Sequence, residues 1–233
     1  MPTALITGGS RGLGLALARE LSRRGWNLVI DARGGGELEE AATRLGPGEV
    51  TGIAGDVAEP AHRRELVAAV QRFGRLDLLI NNASVLGPSP LPGLDRYPID
   101  ELERVFRINT IAPVALLQLL LPMVRAASGT IVNVTSDAAI EPYEGWGGYG
   151  SSKAALEQLS AILGAEQNDI RVYAFDPGDM RTKMHQDAFP GEDISDRPEP
   201  ETVVPALLRL VETRPPSGRY RTSQLPVATG TSS

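Results

Sequence analysis

The chain has no cysteine. That absence excludes disulfides, thiolate nucleophiles, cysteine-ligated zinc and iron–sulfur clusters together. Lysine is nearly missing as well: Lys153 and Lys183 are the only lysines among 23 basic residues, and the rest are arginine. In such a chain a lysine marks a place where a compact ammonium is wanted. The longest apolar run, Ile111 to Val124, holds 14 residues and is broken by Pro113 and Gln118. It falls short of the roughly 20 residues a bilayer-spanning helix needs, so no membrane partner is expected. Met1 to Thr7 has neither a basic start nor a long apolar stretch, so no signal peptide is expected and the default location is cytoplasmic. The net charge is −6 and no basic stretch stands out, which argues against a nucleic-acid or anionic-membrane partner.

What the chain does have is length and alternation. Its 233 residues, 42% hydrophobic, suit one domain and can bury roughly 70% of the unfolded surface without staples. Residues 1–226 are expected to form that domain, with a flexible tail at 227–233. Short apolar runs at Ala4–Ile6, Asn27–Asp31, Val50–Ala54, Leu76–Ile80, Thr130–Thr135 and Ile170–Phe175 alternate with amphipathic stretches. Those stretches are Leu13–Arg24, Glu37–Arg44, Ala61–Phe73, Asp100–Ala127, Tyr149–Glu166 and Glu201–Glu212. Strands rich in Val, Ile and Leu, separated by helices, predict a doubly wound Rossmann-type α/β fold. A parallel sheet of about seven strands would lie between helices on both faces, as a three-layer α/β/α structure. Two segments break the rhythm. Gly87–Pro98 reads as a surface loop, and residues 183–200 read as a lid-like insertion with neither helical nor strand period.

The first turn is rich in glycine. Gly8, Ser10, Arg11, Gly12, Leu13 and Gly14 follow a strand and open a helix. Glycines there allow a tight turn and close approach to a pyrophosphate, which would sit at the helix N-terminus. The spacing G-x-x-x-G-x-G differs from the commoner G-x-G-x-x-G. After the second strand, Asp31 would suit a ribose 2′-hydroxyl and Arg33 a 2′-phosphate. Both are present. Arg11 and Arg33 together favour NADP(H), with NAD(H) as the alternative.

Tyr149 and Lys153 stand at i and i+4, on one helical face. A phenol titrates near 10, so acid–base work at neutral pH needs a drop of about three units, or about 4 kcal/mol. An ammonium at about 4 Å, in an effective dielectric of about 20, supplies a contribution of that order. The expectation is therefore that Lys153 acidifies Tyr149; an exposed helical pair is the plainer alternative. Ser136 lies at a strand end 13 residues earlier and can hold a substrate oxygen, or simply cap the strand.

With these residues in place, the chain resembles the short-chain dehydrogenase/reductase family in its compact form, over about Pro2 to Arg221. The matching pieces are Thr7–Gly14, Asp56-Val57, Asn81-Asn82-Ala83, Asn109, Ser136, Tyr149-x-x-x-Lys153, and Pro177-Gly178 with Thr182. The resemblance implies an NAD(P)(H)-dependent oxidoreductase interconverting a carbonyl and an alcohol. In it Tyr149 would move the proton, Lys153 would lower its pKa and hold the nicotinamide ribose, and Ser136 would fix the substrate oxygen. Asn109 would hold a water linking Lys153 to bulk. Asp56 and Val57 would bracket the adenine, Asn82 and Ala83 would border the cofactor, and Thr182 would bind the carboxamide beside Pro177 and Gly178. The resemblance also implies packing of the Asp100–Ala127 and Tyr149 helices against a second subunit, in a homodimer or homotetramer. Ser84 departs from the family's usual glycine, and Asp176 from its usual asparagine. Asp137 and Asp179 either charge the pocket or are solvated caps. Tyr143, Trp146, Met180 and His185 fall near the substrate end by position, His185 being read as a surface histidine. A catalytically silent cofactor-binding regulator, or a lyase or epimerase on the same fold, are the competing expectations.

Overall fold

The protein is described here by a computed structural model covering residues 1–225; the tail expected at 227–233 lies outside the described residues. The apolar runs become strands β1 (Thr3–Ile6), β2 (Asn27–Ala32), β3 (Val50–Ala54), β4 (Leu78–Asn81), β5 (Thr130–Val134) and β6 (Arg171–Asp176). A seventh, β7 (Gly218–Arg221), has no apolar pattern of its own. All pair in parallel, in the order β3-β2-β1-β4-β5-β6-β7.

Strand side chains alternate between two faces, and each face finds its own helices. Ile6, Ile30, Ile80, Val132 and Phe175 pack with α1 (Gly12–Arg23), α2 (Gly35–Thr43) and α8 (Val204–Thr213), through Leu13, Leu17, Leu21, Leu38, Val204 and Leu207. On the other face Leu5, Val29, Leu79, Ile131 and Val172 meet Leu66 and Val70 of α3 (Pro60–Phe73). They also meet Leu116, Leu120 and Val124 of α5 (Ala112–Ala126). The expected three-layer architecture is thus present. The chain winds outward from β1 to β3, then crosses back to place β4 on the other side of β1. This topological switch opens a crevice at the carboxyl ends of β1 and β4, where such sheets bind ligands.

Two expectations need correction. The stretch expected over Asp100–Ala127 is one helix: α4 (Ile99–Phe106), a π turn at Arg107–Ile111 and α5 run on through Pro113 for 28 residues, well beyond the 14-residue apolar run. By length and composition alone that helix would cross a membrane, so the 14-residue count did not settle the matter. Its Leu116, Leu120 and Val124 face is buried against the sheet, which is the behaviour of a core helix. Residues 183–200, expected to lack period, begin with α7 (Lys183–Ala188). Thr182 starts it by accepting the backbone N–H of His185 at 3.2 Å. The remaining helix, α6 (Gly147–Glu166), carries the Tyr149–Lys153 pair across the end of β5.

Candidate active site

The glycine turn is built for close approach. Gly12 has a φ of +54°, a left-handed conformation that favours glycine, and a Cβ on Gly14 would lie 2.2 Å from the Gly8 carbonyl oxygen. Helix α1 has no side-chain cap, so its first N–H groups remain free for an anion. Asn82 holds the turn from β4, donating from Nδ2 to the carbonyls of Thr7 (2.9 Å) and Gly8 (3.1 Å). The Thr7 hydroxyl in turn accepts from the N–H groups of Asn82 and Ala83.

Asp31 does not do what a ribose-binding carboxylate would. It is 2% exposed; Oδ1 accepts the Gly8 N–H at 2.7 Å, and Oδ2 lies 3.0 Å from His62 Nε2. Each oxygen thus has a partner inside the protein, and Asp31 borders the cavity while bracing the turn. Sequence reasoning missed His62, because a single histidine inside a helical stretch carries no pattern. Beside it, Arg63 holds the Val57 carbonyl at 2.7 Å, and Asp56 accepts the N–H of Ala58 at 2.8 Å. This fixes the Asp56–Val57 turn. Arg11 and Arg33 are both exposed and line the same cavity. Arg11 stands 4.0 Å from Glu37.

At the other end, Ser136 follows β5, while Tyr149 and Lys153 project from the first turns of α6. Tyr149 is 8% exposed and Lys153 2% exposed. The Lys153 ammonium donates to the Val134 carbonyl at 2.7 Å and lies 5.5 Å from the center of the Tyr149 ring. Ser136 donates to Asp137 Oδ1 at 2.9 Å, and Tyr143 donates to Asp137 Oδ2 at 2.9 Å. Asn109 sits in the π turn and has no side-chain group left for water. Its Oδ1 accepts from Ser84 Oγ and Val85 N–H, and its Nδ2 donates to the Val85 carbonyl and Ser152 Oγ. It braces the loop after β4 against α6.

Burial opposes the expected acidification of Tyr149. Burial pushes the phenol well above its ordinary value; the Asp176 carboxylate, and more weakly that of Asp137, push the same way, while hydrogen bonds from Ser136 and Ser84 pull it down. Burial also pushes the Lys153 ammonium down to about 7, against the favourable field of Glu157. For each group desolvation by burial outweighs the contributions that oppose it. This has a consequence for stability. Between about pH 7 and the ordinary lysine value of 10.5, the unfolded chain keeps a proton on Lys153 that the folded protein has lost. Stability attributable to this group therefore rises with pH through that window. Thermal melts of wild type and Lys153→Met should show the wild-type midpoint climbing relative to the variant between pH 7 and 10. A constant difference would rule this out.

Behind the site, Arg219 of β7 bonds Glu157 (2.9 Å), Asp176 (2.9 Å) and the Ser136 carbonyl (3.3 Å), and Thr135 donates to Glu157 at 2.7 Å. Asp176 is thus a braced ion partner, also 3.3 Å from Arg221. Pro177 and Gly178 follow it at the cavity wall, with Thr182 and Met180 beyond. His185, expected at the surface, is only 10% exposed in its side chain and stacks 4.9 Å from Phe189. One continuous cavity of about 1250 Å³ runs from Arg33 and Asp56 past Gly8, Ser10 and Gly12 to Ser136, Tyr149 and Lys153. That exceeds the roughly 300–1,000 Å³ of a usual ligand pocket and leaves room for a dinucleotide and a second molecule.

A profile of the family described as short chain dehydrogenase matches residues 2–193. Among curated relatives, the chain is 36% identical over 191 residues to the Rhamnolipids biosynthesis 3-oxoacyl-[acyl-carrier-protein] reductase of Pseudomonas aeruginosa, covering 78% of this chain and 73% of that one. It is 34% identical over 192 residues to the benzil reductase ((S)-benzoin forming) of Bacillus subtilis, covering 79% and 76%. Among solved structures, an alcohol dehydrogenase from the archaeon Thermococcus sibiricus, complexed with 5-hydroxy-NADP, superposes with a TM-score of 0.86 at 27% identity, covering 95% of each chain. The chain belongs to the short-chain dehydrogenase/reductase family. It is therefore an NAD(P)-dependent oxidoreductase, and the free helix N-terminus and crowded glycine turn fit the dinucleotide such enzymes use.

Proposed function

We propose that this enzyme reduces a carbonyl compound with NADPH, and runs the alcohol oxidation in reverse. The observation that carries the reading is the single cavity joining the glycine turn to Ser136, Tyr149 and Lys153. The cofactor supplies the hydride. The chain's own residues do the rest. Tyr149 delivers its phenolic proton to the oxygen as the carbonyl carbon is reduced. Ser136 turns its hydroxyl from Asp137 to the substrate oxygen, and Lys153 holds the nicotinamide ribose and steadies the phenolate left behind. Asn109 keeps α6 in register with the loop after β4. Asp56, Val57, Asn82 and Ala83 border the nucleotide, and Leu13 supports the turn from the core. Pro177, Gly178 and Thr182 flank the nicotinamide.

NADP(H) is favoured over NAD(H) because Asp31 is fully engaged inside the protein while Arg33 remains free at the nucleotide end. The NADP analogue bound to the Thermococcus sibiricus relative is in keeping with this. Residues 1–226 act as one catalytic domain in the cytoplasm, with 183–200 covering the substrate end. The test is direct: purified protein, NADPH and a panel of aldehydes and ketones, followed by the absorbance of the reduced nicotinamide. Turnover supports the reading. Tight cofactor binding with no turnover on a broad panel would leave a regulator instead.

The enzyme works as a homodimer or homotetramer. Ile111 and Leu119 of the long helix are 57% and 47% exposed, and Leu159 and Ile162 of α6 are 38% and 45% exposed. Together they leave an apolar surface for a second copy. Sedimentation should show a dimer or tetramer, and the Leu119→Arg, Leu159→Arg double variant should sediment as a monomer; a wild-type monomer would contradict the assignment.

A further inference from the structure

The substrate end of the cavity has a chemistry of its own. Leu86, Ala138 and Ala188 gather around Tyr149, with Trp146, Met184 and Phe189 packed against them. Trp146 is the central wall. Its ring stands edge-on to Tyr149 at 5.7 Å, with Phe189 at 6.0 Å and Tyr143 at 6.3 Å. Three rings lock one indole in place next to the catalytic phenol, which makes it a rigid platform for a flat apolar group.

The charges around this box are arranged asymmetrically. Among the described residues, the lysine and arginine lining this end of the cavity beside Lys153 already have acidic neighbours: Lys183 bonds Asp187 at 2.8 Å, and Arg181 pairs with Glu199. Asp176 is matched by Arg219 and Arg221. Asp137 is different. Its partners are the Ser136 hydroxyl (2.9 Å), the Ala138 N–H (2.8 Å) and the Tyr143 hydroxyl (2.9 Å), all of them neutral. Its negative charge therefore stands uncompensated one residue from the hydroxyl that would hold the substrate oxygen. A carboxylate attached beside the reacting carbonyl would meet this charge in a partly desolvated box where, among the described residues, Lys153 is the one lysine or arginine not already beside an acid.

We infer that the substrate is a neutral carbonyl compound bearing an aromatic ring close to the carbonyl, with the ring seated on Trp146, and that Asp137 rejects substrates carrying an anionic group next to the reacting carbon. The inference rests on the carbonyl-reductase reading and names its substrate class. Discrimination of this kind works by building repulsion against the wrong ligand as well as contact with the right one.

The experiment compares kcat/KM with NADPH for three probes: a diaryl 1,2-diketone, an aryl 2-oxo acid with the same ring, and a dialkyl 1,2-diketone. The expected order puts the diaryl diketone about 10–100-fold above each of the others. Trp146→Ala should collapse the diaryl to dialkyl ratio by about tenfold. Asp137→Asn should narrow the gap between the oxo acid and the diaryl diketone, whatever it does to absolute rates through Ser136. Circular dichroism and NADPH affinity check that each variant folds, and Trp146→Phe, which keeps a ring, should restore part of the ratio. Equal or better turnover of the oxo acid, or an unchanged diaryl to dialkyl ratio in folded Trp146→Ala, overturns the inference and leaves the carbonyl-reductase reading intact. Bound NADPH with no turnover of any probe or of a wider carbonyl panel overturns both.

Discussion

Tyr149→Phe is expected to lower kcat for carbonyl reduction by about 10²–10⁴-fold, the usual worth of a positioned general acid. The variant removes one oxygen and little else. The ring keeps its place in the cluster with Leu86, Ala138 and Ala188 and its edge contact with Trp146, so the fold and the nucleotide end should be untouched. NADPH affinity, read by quenching of protein fluorescence, should stay within a few-fold of wild type while single-turnover rates collapse. The pH dependence follows from the direction in which burial drives the phenol. Reduction consumes the neutral phenol, which is the form present below its raised pKa, so Tyr149 should not limit the reductive rate anywhere near neutrality. Alcohol oxidation needs the phenolate, so its rate should climb with pH. Stopped-flow rates in both directions from pH 6 to 10 check this, and a reductive rate that falls between pH 6 and 8 with Tyr149 as its titrating group would contradict it. An unchanged kcat in Tyr149→Phe would remove the catalytic role altogether.

Much of this was legible in the sequence because the signals were periodic or local. The strands β1 to β6 announce themselves as Val-, Ile- and Leu-rich runs, since a sheet covered on both faces needs apolar side chains on both. Tyr149 and Lys153 could be read because helical spacing alone sets them on one face. What could not be read depends on distant pairing. The Gly-Arg-Tyr-Arg of β7 has no strand signature; it becomes an edge strand because β6 is there to receive it, and because Arg219 finds Glu157 and Asp176. The protonation of the pair was misjudged for a related reason. Coulomb attraction can be estimated from spacing, but desolvation depends on everything packed around the two groups. Asp31 shows the same limit: its position suggested a ribose ligand, and only the fold shows that Gly8 and His62 have taken both its oxygens.

That last point leads to the second large effect. If Asp31 were the nucleotide selector, its removal would relax the preference between the two cofactors. With both oxygens turned inward, Asp31→Ala should instead weaken NADPH and NADH alike, because the Gly8 N–H and His62 lose their acceptor and the turn loses its brace. Arg33→Ala should act selectively. A hydrogen bond to a charged group is worth about 1.5–3 kcal/mol, so loss of the guanidinium is expected to lower kcat/KM for NADPH by about 10–150-fold. The value for NADH, which lacks the 2′-phosphate, should barely move. Arg11→Ala should add to the NADPH loss less than its charge suggests, because Glu37 at 4.0 Å already draws on it. Side chains that share one ligand group couple, so if Arg11 and Arg33 meet the same phosphate the effects of the two substitutions should be non-additive. Steady-state kinetics with both cofactors, across wild type, both single arginine variants and the double, measure these differences directly. Equal losses for NADPH and NADH in Arg33→Ala would take the phosphate-binding role from Arg33. A shift toward NADPH in Asp31→Ala would return the selector role to the carboxylate.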